Sequence, residues 1–112
     1  MFIYYINMYS TLQKCFAEFI GTCFFLSVII FVGHPILIGA ALTTAIYLGG
    51  KISGGHFNPA VTVMMVATKK IPLANGLPYI IAQIAGALVA VQLYRSFGHH
   101  KPFQHELFHL HH

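Results

Sequence analysis

Few residues in this sequence can do chemistry, because most of it is apolar. Asn58 precedes Pro59 and an apolar run from Ala60 to Ala67. An Asn there can cap a helix through its side-chain oxygen. Pro59 suits the first helical position, where the N–H it lacks would have no helical partner. The capped end carries the positive pole of the helix dipole, which disfavours cations and protons. The free side-chain amide of Asn58 can donate to the oxygen of water or another neutral solute. Glu18 is the only acid inside an apolar stretch. A carboxyl group in lipid is costly and by default marks a functional or structural site, with a proton relay as the sharper alternative. Gln83, the amide of the last apolar stretch, is equally expensive if it faces lipid. No nucleophile–base pair is present, so no covalent chemistry and no cofactor are expected.

Two further groups carry no chemistry. Cys15 and Cys23 lie eight residues apart in one expected helix. That is a rise of about 12 Å, beyond disulfide reach. Six of the eight histidines fall after Ser96. His105 and His109 have helical spacing and could in principle share a metal, but a disordered or membrane-surface tail accounts for them better, with unselected appended sequence as a third reading. No metal is assigned.

The elements that position these residues follow from composition. The chain is 57% apolar and 7% charged, against about 25% charged in soluble domains, so it is expected to be solvated by lipid. The net charge of +4 is too small and scattered for nucleic acid, and anionic lipid explains it. Three apolar stretches approach the ~20 residues of a membrane span: about 15–33, 36–50 and 77–94. Pro35 is placed to open the second, and Pro72, Asn75, Gly76 and Pro78 are read as breakers before the third. Residues 1–10 read as an interfacial segment with tyrosines at headgroup level, with no cleaved signal peptide. Residues 96–112 form the His-rich tail. Small residues at spacing four predict close helix packing: Ala41, Ala45 and Gly49, then Ala82, Gly86 and Ala90, with Ala17 and Gly21 in the first span.

Between the second and third spans, 51–68 is not an ordinary loop. Its apolar run is half a span long, begins at Asn58-Pro59 and ends at Lys69-Lys70. That is the pattern of a re-entrant half-helix, and irregular backbone at membrane depth, here around Gly54 and Gly55, requires protein or a water-filled cavity beside it. The fold class is therefore all-α membrane protein: three transmembrane helices plus one re-entrant half-helix.

The run Ser53-Gly54-Gly55-His56-Phe57-Asn58-Pro59-Ala60-Val61-Thr62 resembles the first signature of the aquaporin and glycerol-facilitator (major intrinsic protein) family. Ala17 to Thr22 resembles that family's first span and Tyr79 to Ala90 its third, so the likeness covers about 11–95. It implies half of an inverted-repeat fold, with Asn58, Pro59 and Ala60 at the pore. It also implies that backbone carbonyls of Gly54, Gly55 and His56 line that pore. Glu18 would buttress the loop as an acceptor, with His56 among its donors, and Gln83 would hold the loop. The filter position of the second span falls on Ile38, where the family often has an aromatic residue or His. An aliphatic residue there argues against strict water selectivity. The second repeat, with its own Asn-Pro-Ala and the arginine after it, is missing from this sequence.

The expected function is passive conduction of water or a small neutral solute such as glycerol, with lipid as solvent and no nucleic-acid partner. One half cannot enclose a pore, so the expected state is a homo-oligomer of antiparallel half-channel pairs. The rivals are a non-conducting partner of full-length aquaporins and a truncated product without function. Lys14, Lys51, Lys69 and Lys70 fall on the N-terminal side, Arg95 and Lys101 on the other. That bias favours a cytoplasmic N-terminus but is weak enough to allow both orientations.

Overall fold

The computed structural model describes residues 8–98; Tyr4 and Tyr5 of the first segment and the histidines after Ser96 lie outside the described residues. Four helices follow in order: α1 Thr11–Phe31, α2 Pro35–Ser53, α3 Pro59–Ala67 and α4 Leu73–Phe97. Three of them, α1, α2 and α4, are long and apolar enough to cross a membrane, and α3 is a nine-residue half-helix.

The bundle is inverted relative to a soluble protein. Most of its fully buried residues are polar: Glu18, Thr22, Ser53, Thr62 and Gln83 are at most 1% exposed. Large apolar side chains point outward, with Leu12 80%, Ile81 69% and Leu88 65% exposed. Water would not tolerate so continuous an apolar exterior, but hydrocarbon does. The chain is an integral membrane protein.

Helix ends are set by local chemistry. Ser10 and Gln13 form a capping box, two side chains each satisfying the other's backbone donor. α1 therefore starts at Thr11, four residues before the expected apolar run. It ends at Phe31, because Gly33 turns left-handed (φ 71°). α2 opens with Pro35 at its first turn, with the His34 ring accepting from the Ile36 N–H at 3.2 Å. It continues three residues beyond Gly50 to Ser53, where Gly54 at φ 95° closes it by donating to the Gly50 carbonyl at 2.7 Å. α4 differs most from expectation: Asn75, Gly76 and Pro78 are inside it, not before it. The Pro72 carbonyl takes the Asn75 and Gly76 N–H groups at 3.0 and 3.1 Å, which starts the helix early. Pro78 falls in its second turn, where a missing N–H frees only one carbonyl near the helix start. Gly76 is buried because the Val66 side chain of α3 occupies the place of its Cβ.

α1 and α4 run parallel and form the largest interface. Glu18 meets Gln83, Thr22 lies against Gly86, and Phe31 packs edge-on to Tyr94 at 5.6 Å. α3 runs antiparallel to α4, with Thr62 at Gln83 and Val66 at Gly76. The capped end of α3 therefore stands at or beyond the level of Gln83. That is about 15 Å along α4 from Leu73, roughly half the ~30 Å of hydrocarbon.

Gly86 tests the α1–α4 approach. A Cβ there would lie 2.7 Å from the Phe19 carbonyl oxygen and 3.1 Å from the Cys23 nitrogen, both backbone. Gly86→Ala is expected to cost about 1–3 kcal/mol in thermal unfolding followed by circular dichroism in micelles. Gly39→Ala, with nothing within 4 Å of its Cβ, should stay within about 0.5 kcal/mol. Equal melting of the two variants would contradict the packing.

Candidate functional site

The site is built around the Glu18 carboxyl group, which is 0% exposed on the inner face of α1. Its Oε1 accepts from the Phe57 N–H and the Gln83 amide, both at 2.7 Å. Its Oε2 accepts from the Ser53 hydroxyl at 2.6 Å and the His56 N–H at 3.1 Å. Four donors from α2, the loop and α4 thus converge on one side chain of α1. Hydrogen bonds to a carboxylate are short and strong, and in hydrocarbon no water competes for them.

A second set of bonds surrounds the first. The Gln83 amide also donates to the Thr62 hydroxyl at 2.8 Å, and the Thr62 oxygen is 2.9 Å from Nδ1 of His56. Thr62 accepts from Gln83, so its own proton is paired only if it goes to His56 Nδ1. Full satisfaction therefore assigns the Nε2–H tautomer to His56. The Tyr79 hydroxyl donates to the Ser53 carbonyl at 2.7 Å, and its ring lies 5.0 Å from that of His56. The Gln83 carbonyl oxygen is buried without a partner.

Between Ser53 and Asn58 the backbone is sorted by polarity. The Gly54 N–H bonds the Gly50 carbonyl, the Gly55 N–H bonds the Ser53 hydroxyl at 3.2 Å, and those of His56 and Phe57 bond Glu18. All four amides are therefore paired. By contrast, the carbonyl oxygens of Gly54, Gly55 and His56 accept from no described residue. Gly54 and Gly55 reach this arrangement at φ 95° and 69°, which only glycine adopts at no cost. Phe57 does so at φ 53°, a sparsely populated conformation for a side-chain-bearing residue. Its ring is 1% exposed and occupies a notch between α1 and α2. It fills the place of a Cβ on Gly21 and lies 3.0 Å from where one would stand on Gly49.

Asn58 follows as the N-cap of α3. Its Oδ1 accepts from the Ala60 N–H at 2.8 Å, with Pro59 in the first turn. The residue is exposed and its Nδ2 has no partner among the described residues. The positive end of the α3 dipole thus coincides with a free amide donor. Ala60 is exposed beside it.

Six expected site residues come together here: Glu18, Gln83, Gly54, Gly55, His56 and Asn58. Gln83 reaches the loop through Glu18 and through Thr62 and holds the half-helix directly, and His56 meets Glu18 through its backbone, not its ring. Ile38 does not join them. It lies half-buried in the first turn of α2, about 16 Å along the helix from Gly49. Ser53, Phe57, Thr62 and Tyr79 received no individual role from sequence. A signal existed for each: Thr62 lies four residues after Asn58, Tyr79 four before Gln83, and Gly21 and Gly49 leave room for an aromatic ring.

A family model described as major intrinsic protein matches residues 29–111. The chain belongs to the major intrinsic protein family. Among its relatives is a glycerol uptake facilitator protein-like 6 of Lactiplantibacillus plantarum, 43% identical over 95 residues, covering 77% of this chain and 44% of that protein. Nodulin-26 of Glycine max is 37% identical over 108 residues, with 82% and 40% covered. The propanediol uptake facilitator PduF of Salmonella typhimurium is 41% identical over 105 residues, with 78% and 40% covered. The chain thus spans less than half the length of these curated relatives. No solved structure matches it. Major intrinsic proteins are membrane channels, not enzymes.

Glu18→Gln would turn an amide N–H₂ toward two of the four donors it now accepts from. The variant is expected to lose about 2–5 kcal/mol, each unsatisfied buried group costing about 1–3, in denaturant unfolding in micelles. A loss below about 1 kcal/mol would remove Glu18 from the centre of the site.

Proposed function

We propose that the chain supplies one wall and one re-entrant helix of a passive channel for water or small neutral solutes of the glycerol type. The observation that carries this reading is the row of free carbonyls on Gly54, Gly55 and His56 leading to the free amide of Asn58, at mid-depth. Unpaired polar backbone is tolerated at that depth only beside protein or a water-filled cavity. The row accepts hydrogen bonds and its end donates one, which suits hydroxyl-bearing solutes that do both. The positive helix end disfavours cations. Names among the relatives agree with the solute class: a glycerol facilitator, a propanediol facilitator and aquaporins.

One such unit does not enclose a pore. α3 makes its main contacts with α4 alone, and its opposite face is open, with Val63 57% and Met64 53% exposed. A second three-span unit closes that side, and an antiparallel copy of this chain is the partner proposed. The three spans put the ends of the described bundle on opposite sides of a membrane, so inverted copies match face to face. Lys14, Lys51, Lys69 and Lys70 favour a cytoplasmic N-terminus in one copy, while the shortage of charge on the other side permits the reverse. Thiol labelling of single-cysteine variants from each membrane side is expected to find both orientations. A single orientation would exclude the antiparallel pair.

Conduction is tested by osmotic shrinkage of proteoliposomes holding only this chain. The unmodified chain is expected to speed water or glycerol flux, and Asn58→Asp, which removes the donor and adds charge, to return it to the rate of empty liposomes. If inserted, folded chain leaves both rates at the empty-liposome value, it is not a channel by itself and a role beside full-length aquaporins takes precedence.

A further inference from the structure

The loop that carries the free carbonyls is held from α4 at both ends. At its start, the Tyr79 hydroxyl holds the Ser53 carbonyl; past its end, the Gln83 amide holds Thr62 in the half-helix. Tyr79 and Gln83 are four residues apart, one turn of α4, and both are 1% exposed. We propose that Tyr79 is a positioning residue for permeation: its hydroxyl fixes where the row of free carbonyls begins and how deep Asn58 stands. The proposal rests on the channel reading above and goes beyond it by naming a group that touches no solute.

Ser53 is the last residue of α2, so its carbonyl has no helical partner and needs one from elsewhere. Tyr79 supplies the only bond that this oxygen accepts among the described residues. Beyond it, the next three carbonyls accept from no described residue. The Tyr79 hydroxyl therefore stands at the boundary between paired and unpaired backbone. Ser53 also carries the hydroxyl that bonds Glu18 and receives the Gly55 N–H. A shift of Ser53 is thus passed to the loop by both its backbone and its side chain. Filling space is not the whole task of Tyr79, because a phenylalanine fills nearly the same volume without holding the carbonyl.

Tyr79→Phe removes that one oxygen. The full chain, unmodified and variant, is compared in lipid nanodiscs by hydrogen exchange and in proteoliposomes by water and glycerol flux. The expected result is exchange of the Gly55, His56 and Phe57 amides roughly tenfold faster, about the loss of one hydrogen bond. The α1 and α4 core amides should stay protected, any fall in melting temperature should be modest, and the glycerol-to-water permeability ratio should shift. 4-Aminophenylalanine in place of Tyr79 restores a donor and should restore both readouts. A folded Tyr79→Phe chain with unchanged loop exchange and an unchanged permeability ratio would overturn the proposal and leave the ring as filler. If Tyr79→Phe does not fold, 4-methylphenylalanine keeps the bulk without the donor and is read the same way. If the unmodified chain carries no flux, the channel reading fails. The exchange data then decide the hold on the loop alone: faster exchange supports it and unchanged exchange overturns it.

Discussion

Everything near the centre of this bundle depends on one acceptor, the carboxyl group of Glu18. Its two oxygens take donors from the end of α2, from two consecutive loop amides and from α4. In water such bonds would replace others of similar strength, and the net gain would be small. Inside a membrane the alternative is an unpaired donor in hydrocarbon, so each bond is held against a much larger cost. That is why a single acid can organise four segments, with the bonds of Tyr79 to Ser53 and Gln83 to Thr62 around it. It also explains why polar residues such as Glu18, Thr62 and Gln83 are among the most buried.

Phe57 shows how the strain of that arrangement is held. A non-glycine residue at φ 53° pays of order 1–3 kcal/mol, and here two things fix it. Its N–H is tied to Glu18 at 2.7 Å, and its ring is locked in the notch of Gly21 and Gly49. The residue after it is Asn58, so the notch and the carboxylate together aim the end of the half-helix. The small-residue positions of α1 and α2 thus serve a purpose besides helix approach. At Gly21 and Gly49 they accommodate a side chain from the loop, whereas at Gly86 a small residue lets α1 and α4 backbones meet.

How much of this was legible in the sequence follows the physics of each element. The spans were visible because lipid demands about twenty apolar residues, and the half-helix because its run stops at half that length after Asn58-Pro59. Glu18 stood out because charge in a span needs a reason. Helix ends were harder: the apolar run begins at Cys15, but the helix begins where Ser10 and Gln13 cap each other. Pro78 and Gly76 carry the usual signs of a break, yet the Pro72 carbonyl and the contact with Val66 keep them helical. The residues around Glu18 and its partners were the least legible. Ser53, Thr62 and Tyr79 are ordinary residues whose roles arise only when α4 is laid parallel to α1, with Gln83 opposite Glu18.

The backbone between Ser53 and Asn58 is polarised by this network, and its chemistry follows from that. Glu18, the Ser53 hydroxyl and the Gly50 carbonyl are all acceptors facing the protein side, so they draw every N–H of the loop inward. The carbonyls of an extended, left-handed stretch must then point elsewhere, and no described donor meets them. An acceptor row suits groups that donate, and the positive end of α3 beside it disfavours cations. Under the proposed channel reading, a solute that donates to the carbonyls and accepts from Asn58 carries hydroxyl-like groups. In that reading, the orientation of the open side originates on the closed side, in the Glu18 carboxylate that pairs the loop amides.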